Sequence, residues 1–379
     1  MRNQPGIRTL SFTPLELALS WSDGAHSGYP SLWLADNDPV NRDSHSGQRL
    51  IDVADLPDDP RIGHAAVRDG QVLIEWQGGQ GTTAIDIAWL AQHRATPGFG
   101  AARAVTRWPD GAAMNARTDC AWLTAAQLRE GGVRAAAWFR RLGLEGIAFL
   151  QEVPAHEGAI LDAIVPIGLV QETNYGRLFD VRSVARAENL AYTDLGLGLH
   201  TDNPYRDPVP GYQVLHCILA AADGGDSLFA DGCAIAEHLQ RADPEVFAVL
   251  AHTPVPFAYR ARDVLLQAER PLIQQGFSDE VIAVHYNNRS IAPLPLAGPR
   301  LALYYDAYRR FARLLREPRF QLRTRLDAGD LVVFDNRRVL HARTSFSAAR
   351  HLQGCYLTQD SVASRIALMR AEVPVEESR

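Results

Sequence analysis

Of the twelve histidines in the chain, only one is followed two positions later by a carboxylate, in His200-Thr201-Asp202. Along an extended strand, residues two apart project to the same side, so this imidazole and this carboxylate can share one metal ion. A third ligand is expected from a histidine at the end of a buried strand in the second half of the chain. His341 fits, because it follows Asp330-Leu331-Val332-Val333-Phe334-Asp335-Asn336, an apolar strand running into a turn. Two imidazoles and one carboxylate on one face of iron leave its other positions open for a cosubstrate and oxygen. An anionic cosubstrate needs a cation, and Arg350 stands nine residues after His341. On the strand Arg350–Tyr356, alternation puts Arg350, Leu352, Gly354 and Tyr356 on one face. A guanidinium fork at the base of such a cavity suits a carboxylate.

Positioning these groups requires a rigid β framework. Short apolar or alternating runs at Tyr212–Leu219, Ser227–Ala230, Val281–Tyr286, Gln321–Leu326, Leu331–Phe334 and Leu352–Leu357 are separated by turn residues. With Gly146–Val153 they predict a mainly β fold with inserted helices: a double-sheet, jelly-roll catalytic domain. The inserted helices are expected at Ala159–Val165, Asp243–Leu250 and Arg300–Arg316. Ahead of them, Thr124 can cap a helix through Val133 and Phe139, with Gly131-Gly132 as an interruption and Gly143 as its end. In the first quarter, Leu17–Leu34 and Val72–Leu90 echo each other, each reading as strand, glycine turn and Trp-Leu pair. Pro97, Gly98, Gly100, Pro109 and Gly111 then mark a linker. The expected organisation is a small β-rich domain over residues 1–95, a linker over 96–120 and the catalytic domain over 121–379.

The 379 residues carry 38 basic and 44 acidic side chains, for a net charge of −6, which favours a small-molecule partner over nucleic acid or an anionic membrane. Every basic residue is arginine. The lack of lysine excludes an ordinary phosphate-loop NTPase, a pyridoxal-phosphate enzyme and a Schiff-base aldolase, each of which needs a lysine amine. Cys120, Cys217, Cys233 and Cys355 are too far apart to write a zinc ribbon or redox dithiol and read as buried thiols. No apolar stretch follows Arg2 and Arg8, so neither a leader nor a membrane span is expected, and the location expected by default is cytoplasmic.

Three stretches carry a resemblance: His200–Gly232 (HTDNPYRDPVPGYQVLHCILAAADGGDSLFADG), Phe334–Arg343 (FDNRRVLHAR) and Arg350–Tyr356 (RHLQGCY). Together they resemble the γ-butyrobetaine hydroxylase family of iron(II)- and 2-oxoglutarate-dependent oxygenases, and the similarity extends over most of the chain. The resemblance implies a double-stranded β-helix with Fe(II) held by His200, Asp202 and His341. It also implies that Arg350, helped by Ser227, binds the distal carboxylate of 2-oxoglutarate, with O2 as the other small partner and a homodimer as the assembly. Tyr175, Phe179, Tyr192 and Tyr356 fall where the family boxes a trimethylammonium group, a cation that cannot donate a hydrogen bond and is held by ring faces. Asn189 and Asn288, with Asn287, fall at the anionic end of the substrate.

The implied reaction hydroxylates an aliphatic carbon of a trimethylammonium zwitterion, γ-butyrobetaine giving L-carnitine. A close competitor is 2-(trimethylammonio)ethylphosphonate, and trimethyllysine is a third. Phe179, where many carnitine-forming relatives place tryptophan, hints at divergence, and Arg289 beside the asparagines suits a phosphonate. Readings from other classes are a binding module on an inactive scaffold and a metal-dependent hydrolase; succinate formation dependent on 2-oxoglutarate separates them. The chain departs from the family at Trp33-Leu34-Ala35-Asp36-Asn37, where family members follow with three cysteines that, with a later histidine, bind structural zinc. Here no cysteine follows and Gln80 stands near the histidine position, so no structural zinc is expected.

Overall fold

The alternation in the first Trp-rich segment builds the antiparallel strands Glu16–Trp21 and His26–Pro30, which bury Leu17, Leu19, Trp21 and Tyr29 on one side. Ile7–Thr13 pairs outside them, and the short helix Ser31–Asp36 follows. The second segment repeats the plan with Ile62–Arg68, Gln71–Trp76, Thr82–Asp86 and the helix Ile87–Gln92. Both copies contribute to one core, and Trp33 meets Trp89 with ring centres 5.5 Å apart. The computed structural model describes residues 6–79, 81–94, 105–109, 114–182, 196–347 and 349–372. Gln80, Asn189 and Tyr192 lie outside the described residues.

In this unit the polar side chains near the expected zinc position are engaged with one another. Asp38 accepts from the backbone N–H of Val40 and from the Thr83 hydroxyl, and Trp76 Nε1 donates to that hydroxyl at 2.8 Å. Asp43 accepts from the backbone of His45 and Ser46. Carboxylates committed in this way, in a unit whose sequence has no cysteine, do not fit a structural zinc ion.

The chain divides into two compact units, residues 1–101 and 102–379. Part of the stretch read as linker packs into the second unit. Trp108 is buried there and donates from Nε1 to the Glu145 carbonyl, Arg107 pairs with Glu237 at 2.7 Å, and Ala116–Asp119 forms a helical turn.

Two sheets organise the second unit. The larger has six strands in the order Ala121–Thr124, Ile147–Gln151, Leu331–Asp335, Tyr212–Leu219, His351–Leu357 and Phe179–Arg182, antiparallel except for the first pair. The smaller is antiparallel, in the order Leu197–His200, Val339–Arg343, Ser227–Asp231 and Gln321–Thr324. Between the sheets lie Phe149, Leu215, Val332, Phe334 and Leu352 from the first and Phe229, Leu322 and Val339 from the second. The outer face of the large sheet is covered by helices Gly132–Glu145, Ala159–Ile164 and Gln359–Glu372. That of the small sheet is covered by Gly232–Ala242, Pro244–His252 and Gly298–Leu314. A strand buried on both faces reads as a continuous apolar run, as Leu331–Asp335 does.

The Thr124 cap forms as expected, in a capping box with Gln127, and the helix breaks at Gly131. The next helix ends not at Gly143 but at Gly146, which takes the left-handed conformation at φ 78°. Gly143 instead makes room for a neighbouring helix, because a Cβ there would lie 2.8 Å from Ile366 Cγ2 and would hold the two helices apart.

Candidate functional site

The strand Leu197–His200 stops at His200, and Asp202 lies beyond it in a turn, rather than on the same extended strand as the sequence pattern suggests. What fixes Asp202 is Asn336, fully buried in the turn after Leu331–Asp335. The Asp202 N–H donates to Asn336 Oδ1 at 2.7 Å, and Asn336 Nδ2 donates to the carbonyls of Asp202 at 3.0 Å and Pro210 at 3.1 Å. His341 sits directly opposite His200 in the pairing of their two strands.

One ligand atom from each of His200, Asp202 and His341 lies within 4.8 Å of the other two. Asp202 Oδ1 is 3.3 Å from His200 Nε2 and 4.0 Å from His341 Nε2. Its other oxygen, Oδ2, accepts from the Tyr356 hydroxyl at 2.7 Å. His200 Nδ1 donates to the Gly198 carbonyl at 2.9 Å, which leaves the Nε2 lone pair facing the cluster. Burial opposes ionisation of Asp202, but His341, His200 and the Tyr356 hydroxyl outweigh it and hold the carboxyl well below its usual range. Burial, with His200 beside it, lowers His341 to about 3. Two imidazoles and one ionised carboxylate brought together in this way fit a divalent iron ion.

The cluster opens into a cavity of about 610 Å³. Arg350, Arg343 and Ser227 are among its lining residues, and the Arg350 and Arg343 guanidiniums stand over the Phe346 ring, at 5.5 and 4.8 Å. Arg350 is buried, and its Nη1 has no hydrogen-bond partner among the described residues, as expected of a donor meant for a ligand. Burial, then Arg343, lowers it to about 10, so it stays charged at neutral pH. Gly225 makes room for it: a Cβ there would lie 3.0 Å from Arg350 Cδ and Nε.

Tyr175, Phe179 and Tyr356 all line the cavity, with Phe179 and Tyr356 ring centres 5.1 Å apart. Gly354 faces the same side, as alternation predicts, with the Phe179 ring over it. Asn287 also lines the cavity, but its amide is engaged by the Thr201 carbonyl at 2.9 Å and the Arg289 N–H at 3.1 Å. Asn288 instead accepts from the Tyr308 hydroxyl at 3.0 Å.

Several lining residues are not evident from the sequence pattern alone. Arg343 is within its reach, being two positions from His341 on one strand. Tyr205 and Tyr259, stacked with ring centres 5.1 Å apart, are not, because the second comes from the distant hairpin Val255–Arg260 and Leu265–Arg270. Arg260 and Arg289 add two further guanidiniums to the lining.

A metal-ligating triad and a buried arginine lining one cavity define a non-haem oxygenase site. Residues 125–356 match the family described as taurine catabolism dioxygenase TauD, TfdA family. A γ-butyrobetaine dioxygenase from Pseudomonas sp. (strain AK-1) is 36% identical over 93% of this chain and 94% of its own length. The γ-butyrobetaine dioxygenase of Homo sapiens is 28% identical over 94% and 95%. Among solved structures, a taurine dioxygenase from Burkholderia xenovorans superposes with a TM-score of 0.50 at 16% identity, covering 67% of this chain and 90% of that one, which is a likeness of fold. The chain therefore belongs to the TauD/TfdA family, among its γ-butyrobetaine hydroxylase-like members, and is an iron(II)- and 2-oxoglutarate-dependent dioxygenase. Among the described residues, no helix is long and apolar enough to cross a membrane.

Proposed function

We propose that this enzyme hydroxylates an aliphatic carbon of a small trimethylammonium zwitterion, converting γ-butyrobetaine to L-carnitine. The observation that carries this reading is the placement of Tyr175, Phe179 and Tyr356 on the same cavity as the His200, Asp202 and His341 cluster. Ring faces attract a quaternary ammonium by about 0.5 to 2 kcal/mol per good contact. Two relatives named for this substrate, each aligned over nearly the whole chain, support it. In this reading the two facing sheets are a double-stranded β-helix, and the N-terminal unit serves assembly of a homodimer.

When bound, iron(II) with 2-oxoglutarate and O2 supplies the oxidising power to insert oxygen into a C–H bond as the oxoacid is decarboxylated to succinate. His200, Asp202 and His341 would hold the ion, and Tyr356 keeps the second carboxylate oxygen of Asp202 occupied. Arg350, with Ser227, takes the distal carboxylate of the cosubstrate. The aromatic faces hold the cation, so the length of the substrate decides which carbon stands before the metal.

A second reading, hydroxylation of 2-(trimethylammonio)ethylphosphonate, is favoured by Arg289. It lines the cavity although part of the residue stays exposed; partial desolvation lowers its pKa, while Asp202 and Tyr205 act to raise it. A doubly charged phosphonate is a better match for that guanidinium than a carboxylate.

A panel of γ-butyrobetaine, the phosphonate and trimethyllysine, scored by hydroxylated product, decides between them. Hydroxylation of γ-butyrobetaine with the highest kcat/KM is expected, and product only from another member of the panel refutes the first reading. In the same assay Arg350→Ala should raise the 2-oxoglutarate KM at least tenfold, and an unchanged KM would remove Arg350 from that role.

A further inference from the structure

The reverse side of the strand that carries Phe179 holds a second set of metal-ligating side chains. Phe179–Arg182 pairs with His351–Leu357 so that Phe179 opposes Gly354 and Asp180 opposes Gln353. Successive side chains alternate, so Phe179 and Gly354 face the cavity while Asp180, Gln353 and His351 face away from it. Glu157, from the loop after the strand Ile147–Gln151, meets them there. One ligand atom from each of Glu157, Asp180 and His351 lies within 4.8 Å of the other two. His351 Nε2 is 2.8 Å from Asp180 Oδ1.

The surroundings are ordered as a supporting shell would be. Gln353 is buried; its amide nitrogen donates to Asp180 Oδ1 at 3.1 Å, and its oxygen accepts from the Gly158 N–H at 2.7 Å. One side chain thus orients the Asp180 carboxylate and fixes the loop beside Glu157, as outer-shell groups do at metal centres. The next residue in this row, opposite Gln353 on its other flank, is His216. It is fully buried, shares the same face, and lies against the Val153 backbone.

We propose that Glu157, Asp180 and His351, with Gln353 orienting Asp180, bind a divalent transition-metal ion of the zinc class, separately from the catalytic centre. One imidazole and two carboxylates favour such an ion over calcium or magnesium, which prefer all-oxygen sites. The ion joins the edge strand Phe179–Arg182, its neighbour His351–Leu357 and the Glu157 loop, so it braces Phe179 from behind.

The test is calorimetric titration of ZnCl2 into the full chain stripped of metal, with metal content measured after dialysis. Wild type is expected to hold two ions per chain and Asp202→Ala one. Adding Glu157→Gln or His351→Gln to Asp202→Ala should remove that remaining ion or weaken it at least tenfold. Glu157 lies exposed on a loop, so its substitution leaves the fold intact. Retention of one tightly bound ion by both double variants, or none by Asp202→Ala alone, would overturn the proposal. The Asp202→Ala arm reads this site without reference to the catalytic reaction, so its result is independent of the substrate assignment.

Discussion

Replacing Asn336 tests how the triad is positioned, because this side chain never touches metal or substrate. Its amide makes three hydrogen bonds in a fully buried turn, one accepted from the Asp202 N–H and two donated to the carbonyls of Asp202 and Pro210. Each is worth about 1 kcal/mol net, and a buried N–H left without a partner costs roughly 1 to 3 kcal/mol more. Asn336→Ala should therefore destabilise the catalytic unit by about 3 to 5 kcal/mol. Asn336→Asp keeps the acceptor for the Asp202 N–H but loses both donations and sets an acceptor against the Asp202 carbonyl. Its metal affinity should fall at least tenfold, about 1.4 kcal/mol, even where the fold survives. Urea denaturation of the metal-free chain and Fe(II) titration under anaerobic conditions measure the two effects. If Asn336→Ala stays within about 0.5 kcal/mol of wild type and binds iron normally, Asp202 is held by something other than this clamp.

Two further outcomes follow from close packing and from burial. A Cβ at position 354 would lie 2.5 Å from the Phe179 ring, so Gly354→Ala should displace that ring and raise the KM for a trimethylammonium substrate about tenfold, with the 2-oxoglutarate KM unchanged; equal shifts in both would refute the assignment of Phe179 to the cation. Burial, then Arg270 and Arg337, lowers His285 to about 3, below its unfolded value of about 6.5, so its contribution to stability is intact above pH ~6.5 and is lost as pH falls toward 3. At pH 5.5 this amounts to about 1.4 kcal/mol, and His285→Gln should flatten the stability profile between about pH 6.5 and 5, whereas parallel curves would exclude His285 as the source.

The chemistry was legible where it is local. His200 and Asp202 are two residues apart, and the alternation along Arg350–Tyr356 correctly put Arg350, Leu352 and Tyr356 on the cavity side, because the period of a strand is fixed by its backbone. Strand positions such as Tyr212–Leu219 could be read for the same reason. Local signals failed where a residue serves a distant partner. Gly143 reads as a helix end but is a contact surface for Ile366, and Asp202 reads as a strand residue but sits in a turn pinned by Asn336.

By itself, then, the sequence pointed to candidate metal and anion ligands and, through its resemblance, to an aromatic box, and it located most strands. Only the tertiary structure decided that His341 lies opposite His200, that Tyr205 and Tyr259 join the cavity wall, and that Asn287 and Asn288 have their amides engaged by the protein. Hydrophobic periodicity specifies which face of each strand turns inward, but not which strands become neighbours. That choice is made when the two sheets close over a shared core and fix the register between segments more than a hundred residues apart.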